Sequence, residues 1–297
     1  MDKKPVAPIS DWQTVGDISD VPPSYITVFQ FLQGMPCKNM FITLLTLFLI
    51  SFFVASCSNN QAIVRMPSEE KWRNAEENFN KGKYHRAIPF YEQLVLERSS
   101  IYVADAQFKL GECYFNRGKR DDLVDAIFEY QEFLRLFADH RLAPDALYRL
   151  AQSYAKLSLS ADYTQDDTNR AIEHFVRFIE RHPLDSRVDD ARIFITELQF
   201  KLIEKVYLTG YIYFKMKDYP AAELYLNEII DLRNRDDLEK MSMYYIALIH
   251  IDRQESEKAQ EAINHLKNHF PDSKETQKAE IRYGRMYSKF FRMIYSL

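Results

Sequence analysis

The chain has 297 residues, 46% apolar and 28% charged, enough for one large domain or two modest ones. Its 7 glycines and 11 prolines are about half the usual share of roughly 12%, which argues against sandwiches, barrels and Rossmann-type folds with their many tight corners. A net charge of −4 offers nothing to nucleic acid, and three cysteines without a C-x-x-C pair exclude a disulfide framework and a thiolate zinc site.

Residues 41–54, FITLLTLFLISFFV, form an uncharged run, short of the roughly 20 residues that a membrane-spanning helix needs. Lys38 precedes it, and Val54-Ala55-Ser56-Cys57 follows, as expected of a secretory signal ending in a lipidated cysteine. Small residues let an extended backbone enter a peptidase; the Cys57 thiol can take a diacylglycerol, and the α-amine that cleavage frees can take an N-acyl chain. This tetrapeptide resembles the bacterial lipobox. Residues 35–56 are therefore read as signal peptide and 57–67 as a lipidated linker. Residues 1–34 are read as an over-called start or a disordered segment, because Met35 or Met40 would begin an ordinary lipoprotein signal. The sequence Ser58-Asn59-Asn60-Gln61 has no Asp at its second position and no acidic run, which by resemblance to sorting rules points to the periplasmic face of the outer membrane. Cys37 would leave with the signal, so Cys113 is the free thiol expected in the mature chain.

From residue 68 one pattern recurs: an alanine, a large apolar residue four on, and another three beyond that. Ala87-Tyr91-Leu94, Ala126-Tyr130-Phe133, Ala171-Phe175-Phe178, Ala222-Leu226-Ile229 and Ala259-Ile263-Leu266 all fit. That spacing puts each trio on one helix face. The alanines recur at the period of helix-pair solenoids. A partner helix precedes each trio, marked by Trp72, Ala75 and Phe79, by Leu110-Gly111 with Tyr114, and by Leu150-Ala151 with Tyr154. The small residue of each set lets its pair approach closely.

Lys81-Gly82-Lys83 and Arg117-Gly118-Lys119 read as tight turns, and Pro144 and Pro220 as helix starts. Ser186 with Asp189, and Asp272 with Glu275, have capping-box spacing. Leu157–Asn169 reads as an extended loop and Asp189–Lys215 as an unusually long helix. The expected fold is all-α, a TPR-like helix-pair solenoid of five repeats over 68–274 (about 68–99, 101–139, 144–183, 187–234 and 238–271), with a helical tail at 275–297.

No constellation points to catalysis. His265 and His269 share a helix face but lack the acid of H-E-x-x-H. Cys113 falls on an apolar face and is expected to be buried. Asp121-Asp122, Asp166-Asp167 and Asp236-Asp237 fall at loops or helix starts and are expected to be solvated or capping. Helix-pair solenoids bind along the face lined by the first helix of each pair. Arg73, Glu77, Asn80, Phe108, Glu112, Asn116, Tyr148 and Gln152 are the residues expected to be exposed there. They would form a groove for an extended peptide with an aromatic end, the alternative being that Phe108 and Tyr148 pack against the neighbouring repeat.

The lipobox, the degenerate helix pairs, AIEHFVRFIERHPLDSRVDDA at Ala171–Ala191 and TGYIYFKMKDYPAAELYLNEII within Glu204–Ile230 together resemble the BamD family, in a Bacteroidetes-like variant. His182, Pro183 and Ser186, and again Phe270, Pro271 and Ser273, match its repeat-closing motif, whereas Ser99 and Ala138 depart from it. The resemblance implies a non-catalytic, lipid-anchored scaffold without cofactor. Its implied partners are unfolded outer membrane proteins, a BamA-like insertase and other assembly-machine lipoproteins. Tyr225 stands where the family often carries an arginine toward the insertase. The alternatives are another repeat lipoprotein serving cell-wall synthesis or division, or a SusD-type glycan binder.

Overall fold

The computed structural model describes residues 61–234 and 237–295, with side chains through residue 288. Cys57, the signal segment and Asp236 lie outside the described residues. The chain divides into two compact units, Met1–Arg65 and Met66–Leu297. In the first, residues 61–65 are helical.

Among its described residues the second unit has eleven helices and no strand. In chain order they are α1 (Ser68–Asn80), α2 (Tyr84–Leu96), α3 (Val103–Arg117), α4 (Arg120–Leu136), α5 (Ala143–Leu157), α6 (Asp166–Arg181), α7 (Val188–Met216), α8 (Tyr219–Leu232), α9 (Asp237–Asp252), α10 (Ser256–His269) and α11 (Lys274–Tyr295). Consecutive helices from α1 to α11 pack on one another, and α5–α7, α7–α9 and α9–α11 also touch. This is a TPR-like solenoid of helix pairs.

The recurring trios form its spine. All five alanines are fully buried, and their ten large companions are 2% exposed or less. Each large side chain is worth about 1.5–3 kcal/mol of transfer from water, so the trios are the shared part of the stripe by which every second helix is held; α4 adds Leu123 and Ile127 to it. The first helix of a pair comes close where its side chain is smallest. Gly111 of α3 lies under the Tyr130 ring of α4, and Gly210 of α7 under Leu226 of α8.

The turns inside the first two pairs use Gly82 (φ 68°) and Gly118 (φ 71°), a left-handed conformation that costs glycine nothing. Lys217 (φ 63°) and Gln254 (φ 61°) adopt it in the fourth and fifth pairs without glycine, so those turns carry no sequence signal.

Three local expectations are corrected. Ser186 does not cap α7, whose approach is fixed by Asp185 Oδ1 accepting from the Arg187 backbone N–H at 2.9 Å. Ser273, not Asp272, receives the Thr276 N–H at 3.1 Å ahead of α11. Asp122 is buried rather than solvated, and pairs with Arg117 at 3.1 Å.

The α5–α6 loop, 158–165, is tied down from both sides. Gln165 is buried and donates to the carbonyls of Ser160 (2.9 Å) and Tyr163 (3.1 Å). From α7, Lys201 reaches Ser158 Oγ (2.7 Å) and Lys205 the Tyr163 carbonyl (2.8 Å). At 29 residues α7 is about 43 Å long. Its first half packs into the core of α3–α6 and its second half into the core shared with α8 and α9.

Candidate functional site

A groove of about 810 Å³ runs across α1, α3, α5 and the start of α7. Its floor is aromatic. Trp72 of α1 stacks on Tyr102 at 5.2 Å, with Phe108 and Tyr148 further along. Tyr102 precedes α3 directly, so the chain entering that helix delivers the second ring of the stack.

Cross-helix ion pairs form its walls. Lys109 of α3 approaches Glu76 of α1 at 3.6 Å and sits over the Phe79 ring at 4.1 Å. Arg149 of α5 bonds Glu112 of α3 at 2.9 Å. Arg141 reaches Asp105 of α3 at 2.5 Å, and Arg187, just ahead of α7, reaches Asp145 of α5 at 2.6 Å. Four acids are thus each answered by a base from a neighbouring repeat, Asp190 at the start of α7 also lines the groove, and most of its charge is paired over apolar rings.

The Arg187 guanidinium also clamps Asp185 through two hydrogen bonds, at 2.8 and 2.7 Å, which holds that carboxyl down at about 2. It lies 5.0 Å from the Tyr148 ring and 5.4 Å from the Phe178 ring. This one side chain therefore joins α5, α6 and α7.

Several residues expected to be exposed are not. Phe108 and Tyr148 are buried, Phe108 against Tyr130 and Phe133 and Tyr148 against Phe175 and Phe178. They line the groove only as its floor, because the next helix covers most of each ring. Glu112 is buried too: the Tyr130 hydroxyl donates to it at 2.6 Å and Arg149 covers its other side. Asn116 is exposed and donates back to the Glu112 carbonyl at 2.7 Å. Gln152 is half-buried, accepts from Arg149 at 2.9 Å, and lines a smaller cavity with Lys156, Phe194 and Lys201.

Arg73, Glu77 and Asn80 are exposed on α1, where Glu77 pairs with Lys81. The residues of α1 that meet the groove or its walls are Trp72, Glu76 and Phe79. Trp72 and Phe79 were legible as apolar marks of the first partner helix, whereas Glu76 between them was not. Lys109, Arg149 and Arg187 had none, because their partners lie 33 to 42 residues away in the sequence. Tyr225 is half-buried and stacks on Tyr213 at 5.6 Å, 6° from parallel.

Among the described residues no group of three or more His, Cys, Asp or Glu could hold a metal ion, and no helix is long and apolar enough to cross a membrane. Cys113 is fully buried, and burial pushes its thiol up to about 12.

The profile of the YfiO family, described as an outer membrane lipoprotein, matches residues 64–231, which is α1 through most of α8. The chain belongs to the YfiO (BamD) family. A tetratricopeptide repeat profile matches residues 241–273, over α9 and α10. Both are scaffold types rather than catalytic ones. No curated protein sequence matches the chain. Among solved structures, a tetratricopeptide repeat protein from Parabacteroides merdae is 15% identical, with 76% of each chain covered and a TM-score of 0.32. The TPR2AB domain of yeast Sti1, in a pHSP90 complex, is 15% identical over 75% of this chain and 84% of that one, with a TM-score of 0.41. This YfiO-family chain is thus a repeat scaffold of outer membrane lipoprotein type.

Proposed function

We propose that this protein is the lipid-anchored scaffold of a β-barrel assembly machine on the periplasmic face of the outer membrane. Cys57 carries the acyl chains. The groove across α1, α3 and α5 receives extended segments of unfolded barrel proteins, and the C-terminal pairs, with Tyr225 among them, dock on a BamA-like insertase beside other assembly lipoproteins. The observation that carries this reading is the groove itself: aromatic rings for an aromatic chain end, rimmed mostly by charges already paired, so that neither sign of peptide is strongly excluded.

No bond is made or broken in this role. Holding a substrate beside the insertase raises its effective concentration, to millimolar values for a short tether. Three acyl chains hold the scaffold where one would bind only marginally.

Depleting the protein should lower the folded amounts of many outer membrane barrels together. Unchanged barrel levels, with disturbed cell-wall synthesis instead, would move the assignment to the envelope-scaffold alternative. Trp72→Ala should reduce cross-linking of an aromatic-ended barrel strand while leaving insertase co-purification intact.

A further inference from the structure

A second groove, of about 840 Å³, lies between α2 and α4 over α3. Helical spacing separates it from the first one. Val103, Gln107 and Leu110 of α3 line it, whereas Asp105, Phe108 and Glu112 of the same helix line the peptide groove. Those two sets stand on opposite faces of α3. Nothing in the scaffold role proposed above uses this side.

Two features coincide here. Large apolar side chains stand in water along its edges: Leu96 is 72% exposed, Phe128 59% and Leu136 51%. Among them the carboxyl of Glu129 is half-buried and held by the Gln107 amide, itself 3% exposed. No cation pairs with Glu129 or with Glu92 across the groove among the described residues. The nearby base Arg135 is occupied by Glu132 at 3.0 Å. Arg98 stands on the rim.

We propose that this groove docks a cationic amphipathic segment of a partner protein, one Lys or Arg meeting Glu129 and Glu92 while flanking apolar residues cover Leu96, Phe128 and Leu136. Charge complementarity selects this occupant: an apolar segment alone would leave the carboxylates without a counter-charge, and an acidic one would be repelled. Burial, with Glu92, Asp125 and Glu132 nearby, raises the Glu129 carboxyl to about 7 against the pull of the Gln107 amide. Tyr114 stands near Glu92 from α3, and burial pushes its hydroxyl up to about 12, so it supplies no charge at neutral pH. A bound cation favours the ionised carboxylate, so binding weakens as the pH falls below 7.

The test uses the full chain in zwitterionic nanodiscs, with empty nanodiscs as blank. The probe is a fluorescent heptapeptide of alternating Lys and Leu, compared with its Glu and Leu counterpart. The Lys peptide should bind, and Glu129→Gln and Phe128→Ser should each weaken it about tenfold. Glu173→Gln on α6, which removes an acid elsewhere, and Trp72→Ala in the other groove should leave binding unchanged, which separates this proposal from the peptide-groove reading. Because Glu129→Gln removes a carboxylate that burial and neighbouring acids disfavour, its thermal melt should not fall, so loss of binding is not loss of fold. Equal binding of the Glu peptide, wild-type affinity in Glu129→Gln, or occupation of the groove by a second copy of the chain would overturn the proposal.

Discussion

A Cβ built on Gly111 would lie 2.7 Å from Cε1 of Tyr130. Tyr130 cannot yield, because it is fully buried and its hydroxyl is bound to Glu112. Gly111→Ala gains up to about 1 kcal/mol in helix propensity but overpacks the α3–α4 contact, which costs typically about 1–3 kcal/mol. The variant should be destabilised by about 1–2 kcal/mol, read as a lower urea midpoint at unchanged slope. A midpoint at or above wild type would mean that α4 moves away freely.

Glu112 serves two groups from two helices, so its loss and the loss of one partner are unequal. Glu112→Ala leaves the buried Tyr130 hydroxyl without an acceptor and Arg149 without its carboxylate, a cost of about 1–3 kcal/mol. Tyr130→Phe leaves the Glu112–Arg149 pair in place and should cost about 1 kcal/mol. Urea denaturation of both variants checks the order; a larger loss in Tyr130→Phe would contradict it.

Glu129 makes stability depend on pH in an uncommon direction. Burial holds its folded pKa at about 7, above the 4.5 of an ordinary glutamate. Between those values the native state binds more protons than the unfolded one, so stability falls as pH rises from 4.5 to 7. Allowing for screening of a carboxyl that is partly exposed, the effect is about 1 kcal/mol. Glu129→Gln should therefore be more stable than wild type at pH 8 and match it near pH 4. An advantage of the variant that persists at pH 4 would locate its cause in packing.

Cys113 gives a probe of global opening. Burial and a thiol raised to about 12 leave about one part in 10⁴ as thiolate at pH 8. The native mature chain should resist iodoacetamide for hours and add one label after unfolding in urea, as read by mass. Rapid labelling of the native chain would mean that the α1–α3 core opens locally.

Acylation tests the reading of the N-terminal segment. Labelled palmitate should enter the wild-type chain and not Cys57→Ala. Incorporation that survives the substitution would place the acyl group elsewhere.

The spine of this protein can be read one helix at a time. Burial of Ala87, Tyr91 and Leu94, and of the four trios like them, depends on positions three and four apart on one helix, a local periodicity that any helix imposes. The length of α7 and the glycine turns after α1 and α3 were legible for the same reason. The groove, by contrast, depends on how the helices meet. Glu112 follows the spacing of an exposed inner residue, yet Tyr130 and Arg149 close over it from 18 and 37 residues away. Phe108 and Tyr148 become floor rather than lining, and Glu129 is stranded without a cation on the far side of α3. Those outcomes turn on which neighbouring helix lies across each face and at what height, and that distance is set by packed volumes such as the missing Cβ of Gly111, which no single helix encodes.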